Sequence, residues 1–389
     1  MFEKRFLQSS EIRVLVNGIH AKSGGGVTYL RNIIPLLAED PGLELHLFLH
    51  RDQFQLFGVL DERIRLHLLD FPNGFFSNLI WEQVVLPILA KSMSVDVTLS
   101  PANYGPLFAP RQIIMLRNSL AVAGRETRIF KRLYWGGLAL MTGLSLLTCR
   151  RAVAVSDYAR SALTFGMGNF FQKKVSVVHH GVKEIFSPSD DVEREDYLLT
   201  VSDIYVQKNL HTLITALALV RQDHPTLKLR IAGKANDKGY EAEVREAVGR
   251  MDLEDAVEFL GEKSTEELVG LYRSCALFVF PSTVETFGNP LVEAMSCGAP
   301  IASSNTAAMP EILEDAAHYF DPLDVHAMAS CISDLLNDET ACRDLSSRSI
   351  IQSAKFSWRE TALKTAGVIK MIAPVRDERP AVTEVAPSQ

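Results

Sequence analysis

Short, mainly apolar runs recur along the chain, and each is separated from the next by enough residues for a helix or a loop. They cover residues 12–16, 45–49, 95–99, 113–116 and 152–155 in the first half and residues 197–201, 227–232, 257–260 and 275–280 in the second. The run at residues 275–280 is uninterrupted, which is typical of a strand buried on both faces of a parallel sheet. Because helical patterns lie between many of these runs, the sequence predicts an α/β protein with two mainly parallel sheets.

Composition excludes several classes of protein. Of the 389 residues, 47% are hydrophobic, which is ample for the cores of two domains. The formal net charge of −7 lacks the basicity of a dedicated nucleic-acid-binding protein. The five cysteines are widely spaced and include no Cys-x-x-Cys pair, so neither a disulfide framework nor a zinc site is indicated. This cysteine usage is typical of a protein in the reducing cytoplasm.

One segment raises the question of membrane contact. Residues 133–149 carry no charge and are flanked by basic residues at 131–132 and 150–151. As a helix they would span ~25 Å, less than the ~30 Å hydrocarbon core of a bilayer. We predict a buried or partly buried helix, and the alternative is a surface helix that touches the inner face of the plasma membrane. Since residues 1–10 do not resemble a signal peptide, the protein is expected to stay in the cytoplasm.

Two carboxylates lie beside a predicted helix start that suits a phosphate group. Glu285 and Glu293 follow the apolar run at residues 275–280 and are eight positions apart. Asn289 is a suitable N-cap and Pro290 a suitable first helical residue. The free N–H groups of the first helical turn and the helix dipole then favour an anion in the preceding loop. The segment therefore predicts a phosphate site with one carboxylate on the loop and one about a turn into the helix.

A glycine-rich segment occupies a similar position in the first half of the chain. Gly24, Gly25 and Gly26 follow the first strand, and a helical pattern begins at Tyr29. Strand, glycine-rich loop and helix suit a nucleotide-binding α/β unit, although a glycine run alone is weak support. Lys208 lies between a strand and a helix in the second half, a position that distinguishes it from an ordinary exposed lysine.

Several segments together resemble one known family. Residues 281–321 combine the Glu-x7-Glu pair with Cys-Gly-Ala-Pro-Ile at 297–301 and with Pro310-Glu311. Further segments similar to the family are residues 81–83, 155–156, 177–182, 207–210 and 259–261. In these positions the chain resembles the group 1 (GT4) family of retaining nucleotide-sugar glycosyltransferases, which have the GT-B fold. The resemblance covers most of residues 12–370.

The resemblance implies two Rossmann-like domains that face each other across a cleft. Residues 1–190 would form the acceptor-side domain and residues 191–355 the donor-side domain, with the polar stretch at residues 187–196 as a linker. Residues 356–372 would form a C-terminal helix that packs back towards the first domain. Residues 373–389 contain three prolines and no periodicity, and they are predicted to be a flexible tail.

Roles for individual residues follow from the same resemblance. Glu285 would bind hydroxyls of the transferred sugar, Glu293 those of the nucleotide ribose, and Lys208 the diphosphate. The other positions assigned to the donor, or for the glycines to the diphosphate or acceptor, are Phe287, Gly288, Asn289, Pro290, Leu291, Gly233, Lys234, Gly24, Gly25 and Gly26. The donor would be a UDP- or GDP-sugar, with no metal ion and no other cofactor required. The acceptor would be a glycan or a lipid-linked oligosaccharide of cell-surface polysaccharide or lipopolysaccharide synthesis.

Two positions depart from the family pattern. Many relatives carry an arginine five residues before the motif lysine, and here Asp203 stands in that place, which reverses the local charge. Many relatives also carry a histidine after a first-domain strand, whereas residues 113–118 end in Arg117 and Asn118. We assign Asn118 to the catalytic group by position and Arg117 as a substitute for the missing positive charge.

Other functions remain open on the residues alone. The two glutamates could serve as the acid and the nucleophile of a glycoside hydrolase, or they could lie on a solvated helix start with no function. A sugar-nucleotide epimerase or a phosphorylase can share the architecture. A non-catalytic subunit that keeps the fold is a further alternative, because Asp203 and the Arg-Asn pair alter the site.

Overall fold

Two parallel sheets, both flanked by helices, form the framework of the protein. The computed structural model describes residues 11–22, 24–58, 60–120, 129–189 and 191–374. The prediction of two Rossmann-like domains with mainly parallel sheets is confirmed.

The first sheet has seven strands. They are β1 (Ile12–Asn17), β2 (Leu43–His50), β3 (Ile64–Leu69), β4 (Val97–Ser100), β5 (Gln112–Leu116), β6 (Arg151–Ala154) and β7 (Val175–Val177). Their order is β3-β2-β1-β4-β5-β6-β7. The pairs of β1 with β2 and β4 are parallel, and so are the pairs β2–β3 and β4–β5.

Six helices accompany these strands. They are α1 (Gly24–Ala38), α2 (Phe75–Ile80), α3 (Leu86–Ser92), α4 (Ile129–Thr148), α5 (Asp157–Leu163) and α6 (Gly168–Phe171). A 3-10 turn occupies Arg51–Leu56, and a π-helical turn at Trp81–Val85 joins α2 to α3. Helix α1 turns the side chains of Leu30, Ile33 and Leu37 into the core, as its helical periodicity predicts.

The second sheet has six strands. They are β8 (Glu195–Val201), β9 (Lys228–Ala232), β10 (Val257–Gly261), β11 (Cys275–Phe280), β12 (Ile301–Ser304) and β13 (His318–Phe320). Their order is β10-β9-β8-β11-β12-β13, and every neighbouring pair is parallel. The helices are α7 (Leu210–Val220), α8 (Lys238–Arg250), α9 (Thr265–Ser274), α10 (Asn289–Ser296), α11 (Met309–Leu313), α12 (Val325–Asn337), α13 (Glu339–Ser353) and α14 (Trp358–Ile372).

Helix α9 shows how local sequence sets a helix boundary. Ser264 is the N-cap, and its hydroxyl accepts a hydrogen bond from the backbone N–H of Glu267. The Glu267 side chain in turn accepts from the Ser264 backbone N–H at 2.8 Å. This reciprocal capping box satisfies two N–H groups that the helix start leaves unpaired, and the Ser-x-x-Glu spacing is the sequence signature of such a box.

Each sheet contains one point at which the order of strands reverses. In the first sheet the chain builds β1, β2 and β3 to one side and then β4 on the other side of β1. In the second sheet the corresponding neighbours are β8 and β11. The loops at the carboxyl ends of these two strands diverge, so a crevice for a ligand forms there in parallel α/β sheets.

The chain divides into two compact units that are not continuous in sequence. One unit contains residues 1–115, 141–153 and 362–389, and the other contains residues 116–140 and 154–361. Helices α4 and α14 therefore each contribute residues to both units. The domain boundaries drawn from the sequence stay predictions.

One local prediction in the first half was wrong. The glycines 24–26 form the first turn of α1 and not a loop before it, because the helix continues from Tyr29 back to Gly24, whose φ is +55°. Glycine adopts this left-handed backbone without steric cost.

Four short strands were not predicted from apolar runs. β7 and β13 have three residues each, too few for a periodic signal. β12 carries two serines, and β3 is interrupted by Arg65 and His67. Their positions at or near the sheet edges require less continuous burial than a central strand does.

Helix α4 is partly buried, as predicted for residues 133–149. Its inner face buries Thr142, Ser145 and Leu146, while Leu133 and Leu140 are exposed. The Ser145 hydroxyl accepts a hydrogen bond from the Gly105 N–H at 3.2 Å. Among the helices of the described ranges, none is both long and apolar enough to cross a bilayer. Contact of this helix with a membrane surface stays a prediction.

Candidate functional site

The reversal point of the second sheet brings together Lys208 and Glu285. Lys208 ends a 3-10 turn, Val206–Lys208, after β8, and Glu285 lies in the loop after β11. Their side chains form an ion pair in which both are mostly buried. The Lys208 ammonium also lies 5.8 Å from the centre of the Phe280 ring. Two charged residues that are 77 positions apart in sequence thus meet where a parallel sheet offers a binding crevice.

Asn209 fixes the backbone that carries Lys208. It has a left-handed φ of +58°, and its side-chain amide donates to the carbonyl oxygens of Pro281 at 3.1 Å and Pro322 at 2.6 Å. Its oxygen accepts from the Thr212 hydroxyl at 2.7 Å. This residue therefore ties three loops together. Its role was not predicted, although asparagine directly before a helix and after the lysine was a usable signal, since asparagine tolerates this backbone.

Replacing Asn209 separates these two contributions. Asn209→Ala should lower the free energy of unfolding by about 2–4 kcal/mol, because it removes buried hydrogen bonds and places alanine in a left-handed backbone. Asn209→Gly keeps the backbone preference and should be less destabilising by about 1 kcal/mol. Denaturant unfolding of the two variants measures the difference. Equal stability of both variants would show that the left-handed backbone does not matter.

The loop that carries Glu285 is held by its backbone. The N–H of Thr283 donates to the Gln207 carbonyl at 2.9 Å, and the Ser304 hydroxyl donates to the Ser282 carbonyl at 2.6 Å. The Ser156 hydroxyl donates to the Thr286 carbonyl at 2.5 Å, and the Thr286 hydroxyl donates to the carbonyl of Arg117. Fixed loops of this kind hold charged side chains in one geometry before a ligand binds.

The N-cap of helix α10 is not Asn289, and the prediction of that cap was wrong. Gly288, with φ of +85°, is the N-cap, and Asn289 is the first helical residue. The N–H of Leu291 donates to the Gly288 carbonyl at 2.9 Å. The left-handed backbone at position 288 favours glycine, so Asn289 is free of the capping role. Its side-chain oxygen lies 3.1 Å from Nδ1 of His180 instead.

His180 is a buried, neutral histidine next to the start of α10. Burial, and then the nearby Arg117 guanidinium, lower the pKa of His180 to about 3. Its ring lies 5.1 Å from the ring of Phe287 and 5.5 Å from that of Trp358. Phe287, a predicted donor-site residue, is therefore buried in an aromatic cluster. Its side chain packs into the core and stabilises the loop that precedes α10.

His179 and Glu311 form a second polar contact in the same unit. Nε2 of His179 lies 3.2 Å from Glu311, whose carboxylate also accepts from the N–H groups of Asp157 at 2.7 Å and Tyr158 at 2.9 Å. Burial alone would raise the pKa of Glu311, but the hydrogen bonds with His179 and these N–H groups lower it. Glu311, which belongs to the family-like segment, therefore stabilises the start of helix α5.

Glu293 lies in the second turn of α10, about where the sequence predicted it. It is partly buried, and the Tyr272 hydroxyl donates to its Oε2 at 3.0 Å. Burial raises the pKa of Glu293 to about 7, and the hydrogen bond from Tyr272 opposes this rise. A carboxyl group with this pKa changes its charge near neutral pH, and its predicted role at the ribose therefore depends on pH.

This pKa predicts a pH-dependent stability difference. The folded-state pKa of about 7 lies above the ordinary value of 4.5, so the stabilising contribution of Glu293 is fully present below about 4.5 and is lost as the pH rises through about 7. Glu293→Gln should therefore gain in thermal stability relative to the wild type between these pH values. Melting temperatures of both proteins across this range provide the measurement. A constant difference would contradict the raised pKa.

Asp203 closes the loop after β9. Its carboxylate accepts from the backbone N–H of Lys234 at 3.1 Å and from the Asn236 side chain at 2.9 Å. Gly233, the residue before Lys234, has φ of +151°, and a β-carbon there would lie 2.0 Å from the Ser202 carbonyl oxygen. Asp203, which stands where many relatives have arginine, thus stabilises this loop. The side chain of Lys234 is exposed.

The remaining predicted residues are distributed over both units. Gly24, Gly25 and Gly26 lie in the first turn of α1 in the first unit. Arg117 and Asn118 follow β5 and belong to the second unit, where Arg117 is partly buried close to His180 and Asn118 is exposed. Pro290 and Leu291 continue the first turn of α10. The catalytic and binding roles of all these residues stay predictions.

All five cysteines are buried, and none of them forms a disulfide bond. Burial raises the pKa of Cys275, Cys297 and Cys331 to about 12. Within the described ranges, no group of three or more histidine, cysteine or acidic side chains is arranged to hold a metal ion.

Comparison with known proteins supports the resemblance for the part of the chain that contains this site. Residues 182–352, which contain Lys208, Glu285 and Glu293, match the model of the family "Glycosyl transferases group 1". Over this region the chain is similar to the group 1 glycosyl transferases.

Two similar proteins come from Escherichia coli. The serotype-specific mannosyltransferase WbdA is 34% identical over 194 residues, which are 48% of this chain and 23% of WbdA. O-antigen chain mannosyltransferase B is 28% identical over 244 residues, which are 59% of this chain and 62% of that protein. The chain thus spans about a quarter of the length of the first relative and about three fifths of the second.

A solved structure extends the likeness to the whole fold. Alr3699/HepE from Anabaena, crystallised with UDP-glucose, matches with a TM-score of 0.74 and 18% identity. The match covers 93% of this chain and 100% of HepE. This likeness confirms the GT-B fold.

Proposed function

We propose that the protein transfers a sugar from a nucleoside-diphosphate sugar to a glycan or lipid-linked acceptor, with retention of the anomeric configuration. This assigns it to the GT4 group of glycosyltransferases. The names of the two Escherichia coli relatives support mannose as the first sugar to test. The HepE complex supports a nucleoside-diphosphate sugar as the donor.

The ion pair of Lys208 and Glu285 is the observation that carries the proposal. Both side chains are mostly buried at the reversal point of the second sheet, near the phosphate-binding geometry of a helix start. A nucleotide sugar offers a partner to each, since its diphosphate attracts the ammonium and its sugar hydroxyls can donate to the carboxylate. Glu293 then binds the ribose, for which hydroxyl groups are again the donors.

The reaction forms a bond between an acceptor oxygen and the anomeric carbon and breaks the bond from that carbon to the diphosphate. The hydroxyl proton leaves with the departing diphosphate, so no separate base is required. Negative charge increases on the diphosphate, and Lys208 stabilises it. Arg117 is a second cation of the same unit, and it takes the place that the family histidine leaves. Asn118 belongs to the same catalytic group by position.

The acceptor and location are part of the proposal. The O-antigen relatives support a cell-surface polysaccharide or lipopolysaccharide intermediate as the acceptor. Such intermediates are amphipathic, and we propose that the protein meets them on the cytoplasmic side of the plasma membrane. The exposed leucines of α4 at positions 133, 140 and 147 support contact with the membrane surface. The proposal requires no metal ion or other cofactor.

A donor panel tests the function directly. UDP- and GDP-sugars carrying mannose, glucose and N-acetylglucosamine are added singly, and the melting temperature is recorded. We expect one donor at 100 times its Kd to stabilise the protein by about 2.7 kcal/mol. The wild type should then release nucleoside diphosphate faster when an acceptor is present. If no nucleotide sugar raises the melting temperature and aryl glycosides are cleaved without one, the hydrolase alternative replaces this proposal.

A further inference from the structure

The first unit contains a buried polar cluster that the proposed donor site does not use. Glu82, in the π-helical turn, accepts a hydrogen bond from the side-chain amide of Asn17 at 2.6 Å on its Oε1. Nε2 of His20 lies 3.0 Å from the same oxygen. The carboxylate is 1% exposed, whereas the His20 side chain is 21% exposed. His20 therefore connects a buried acid to the surface.

Two polar atoms of this cluster have no partner among the described residues. They are Oε2 of Glu82 and Oδ1 of Asn17, and both are buried. Burying a polar atom without a hydrogen bond costs free energy, so such atoms are uncommon in folded proteins. Each such atom needs an explanation, and a role in binding or catalysis is one of those that account for it. The acid is also placed by a π-helical turn, a feature that often marks functional sites.

The cluster lies at the reversal point of the first sheet. Asn17 is the last residue of β1, and His20 lies in the loop that follows it. The His20 ring contacts the ring of Tyr104, in the loop after β4, at 5.0 Å in an edge-on arrangement. β1 and β4 are the neighbours between which the order of strands reverses. In a parallel sheet this is the expected place for a ligand, as it is for Lys208 and Glu285 in the second sheet.

The hydrogen bonding of His20 defines what it can bind. Because Glu82 is the acceptor for two nitrogen atoms, we assign the donor proton of His20 to Nε2. Nδ1 is then the acceptor nitrogen of the ring, and it can receive a hydrogen bond from a hydroxyl group. The buried carboxylate keeps the ring in this tautomer and orientation, as carboxylates commonly do for functional histidines.

A cavity at the same edge of the sheet suits a sugar ring. Its volume is about 440 Å³, and its wall includes His50, Asp52, Asp70, Phe71 and Asn73. Carboxylates and amides bind sugar hydroxyls, while an aromatic side chain covers the apolar face of the ring. The Lys22 ammonium donates to the Asn73 side-chain oxygen at 2.6 Å and so joins the His20 loop to this wall.

We propose that the His20–Glu82 pair binds a hydroxyl of the saccharide acceptor and positions it for transfer. This inference rests on the proposed function and specifies its acceptor side. His20 is the contact residue, Glu82 is the positioning residue that acts through it, and the cavity at the same edge of the sheet holds a sugar unit of the acceptor. The acceptor is accordingly a saccharide with a free hydroxyl, and not a lipid alcohol or a protein side chain.

Kinetics with a defined acceptor test the proposal. The full-length protein is given its stabilising nucleotide sugar and octyl glycosides of mannose, glucose or N-acetylglucosamine as acceptors. His20→Ala should raise the KM for the octyl glycoside by at least about tenfold, equal to a loss of about 1.4 kcal/mol in acceptor binding. The KM for the nucleotide sugar should change less than twofold. Glu82→Gln keeps the shape and should raise the acceptor KM by less than His20→Ala does.

His67→Ala is the matched control. His67 is a partly buried histidine of the same unit that stacks on Phe48 with ring centres 4.3 Å apart, and its Nε2 lies 3.0 Å from Nδ1 of His46. This variant should keep both KM values. If His20→Ala lowers kcat without changing the acceptor KM, or raises both KM values equally, the acceptor role is overturned.

A binding measurement tests the acceptor role in variants whose turnover is too low for kinetics. Saturation-transfer NMR with the same octyl glycosides, in the presence of the nucleoside diphosphate, should show a bound glycoside for the wild type and loss of it for His20→Ala. If the wild type binds a nucleotide sugar but none of the glycosides, this inference fails and the donor assignment stands. If the wild type binds no nucleotide sugar, the proposed function fails first.

Discussion

Lys208→Ala is expected to lower kcat/KM for sugar transfer by about 10²–10³-fold, because it removes the cation that stabilises the departing diphosphate. The same substitution leaves Glu285 mostly buried without its partner, so a smaller loss of stability should accompany the loss of activity. Glu285→Ala should have a comparable effect on transfer, since the sugar hydroxyls lose their acceptor. Initial rates with the nucleotide sugar that stabilises the wild type give both values.

A second ion pair provides the control for this result. Lys263 and Glu267 lie 2.9 Å apart at the start of α9 in the same unit. Lys263→Ala likewise removes a lysine and a lysine–glutamate salt bridge, and it should keep wild-type turnover. Turnover close to that of the wild type in a folded Lys208→Ala or Glu285→Ala protein would remove these residues from the mechanism.

Gly233→Ala is expected to be the most destabilising of the single substitutions considered. The new β-carbon would lie 2.0 Å from the Ser202 carbonyl oxygen and 2.4 Å from the Ser202 carbonyl carbon. Both are backbone atoms, which cannot move aside easily. The φ of +151° is also a conformation that alanine rarely adopts. We expect a loss of at least about 3 kcal/mol, and a fall in melting temperature of roughly 6–12 °C for the unit that contains β8 and β9.

Gly270→Ala provides the comparison for glycine replacement. Gly270 lies inside helix α9, and a β-carbon there would meet no atom within 4 Å. Alanine in a helix interior is favoured over glycine by about 0.5–1 kcal/mol, so this variant should melt at a slightly higher temperature than the wild type. If Gly233→Ala melts like Gly270→Ala, the close approach of β8 and β9 is not a constraint.

The two-sheet fold and the candidate residues Lys208 and Glu285 could be predicted, because their sequence signals are local. Mainly apolar runs predicted most of the strands of both sheets. Lys208 and Glu285 were singled out by their positions after strands, although nothing in their sequence separation shows that they form an ion pair. Side-chain pairs across neighbouring strands depend on strand order, which the sequence pattern alone does not give.

The wrong and missing predictions have a common physical origin. Asn289 suits an N-cap by composition, but the left-handed backbone at Gly288 decides where α10 begins. Asp203 was interpreted as a reversed charge, whereas it binds the backbone of the loop after β9. Asn209 acts through carbonyl groups of two distant loops. In each case tertiary contacts decide the role, and the residue type alone allows several.

The π-helical turn at Trp81–Val85 separates the placement of Glu82 from the packing of α3. Such a turn contains one residue more than a regular helix would need. Removing that extra residue would restore a regular helix and leave α3 in its present rotation, so Leu86 and Ala90 would stay buried and Ile88 exposed. The deletion would change the wide turn itself, and with it the position of the acid at residue 82. The length of the chain at this point therefore determines where Glu82 lies, while the core contacts of α3 do not depend on it.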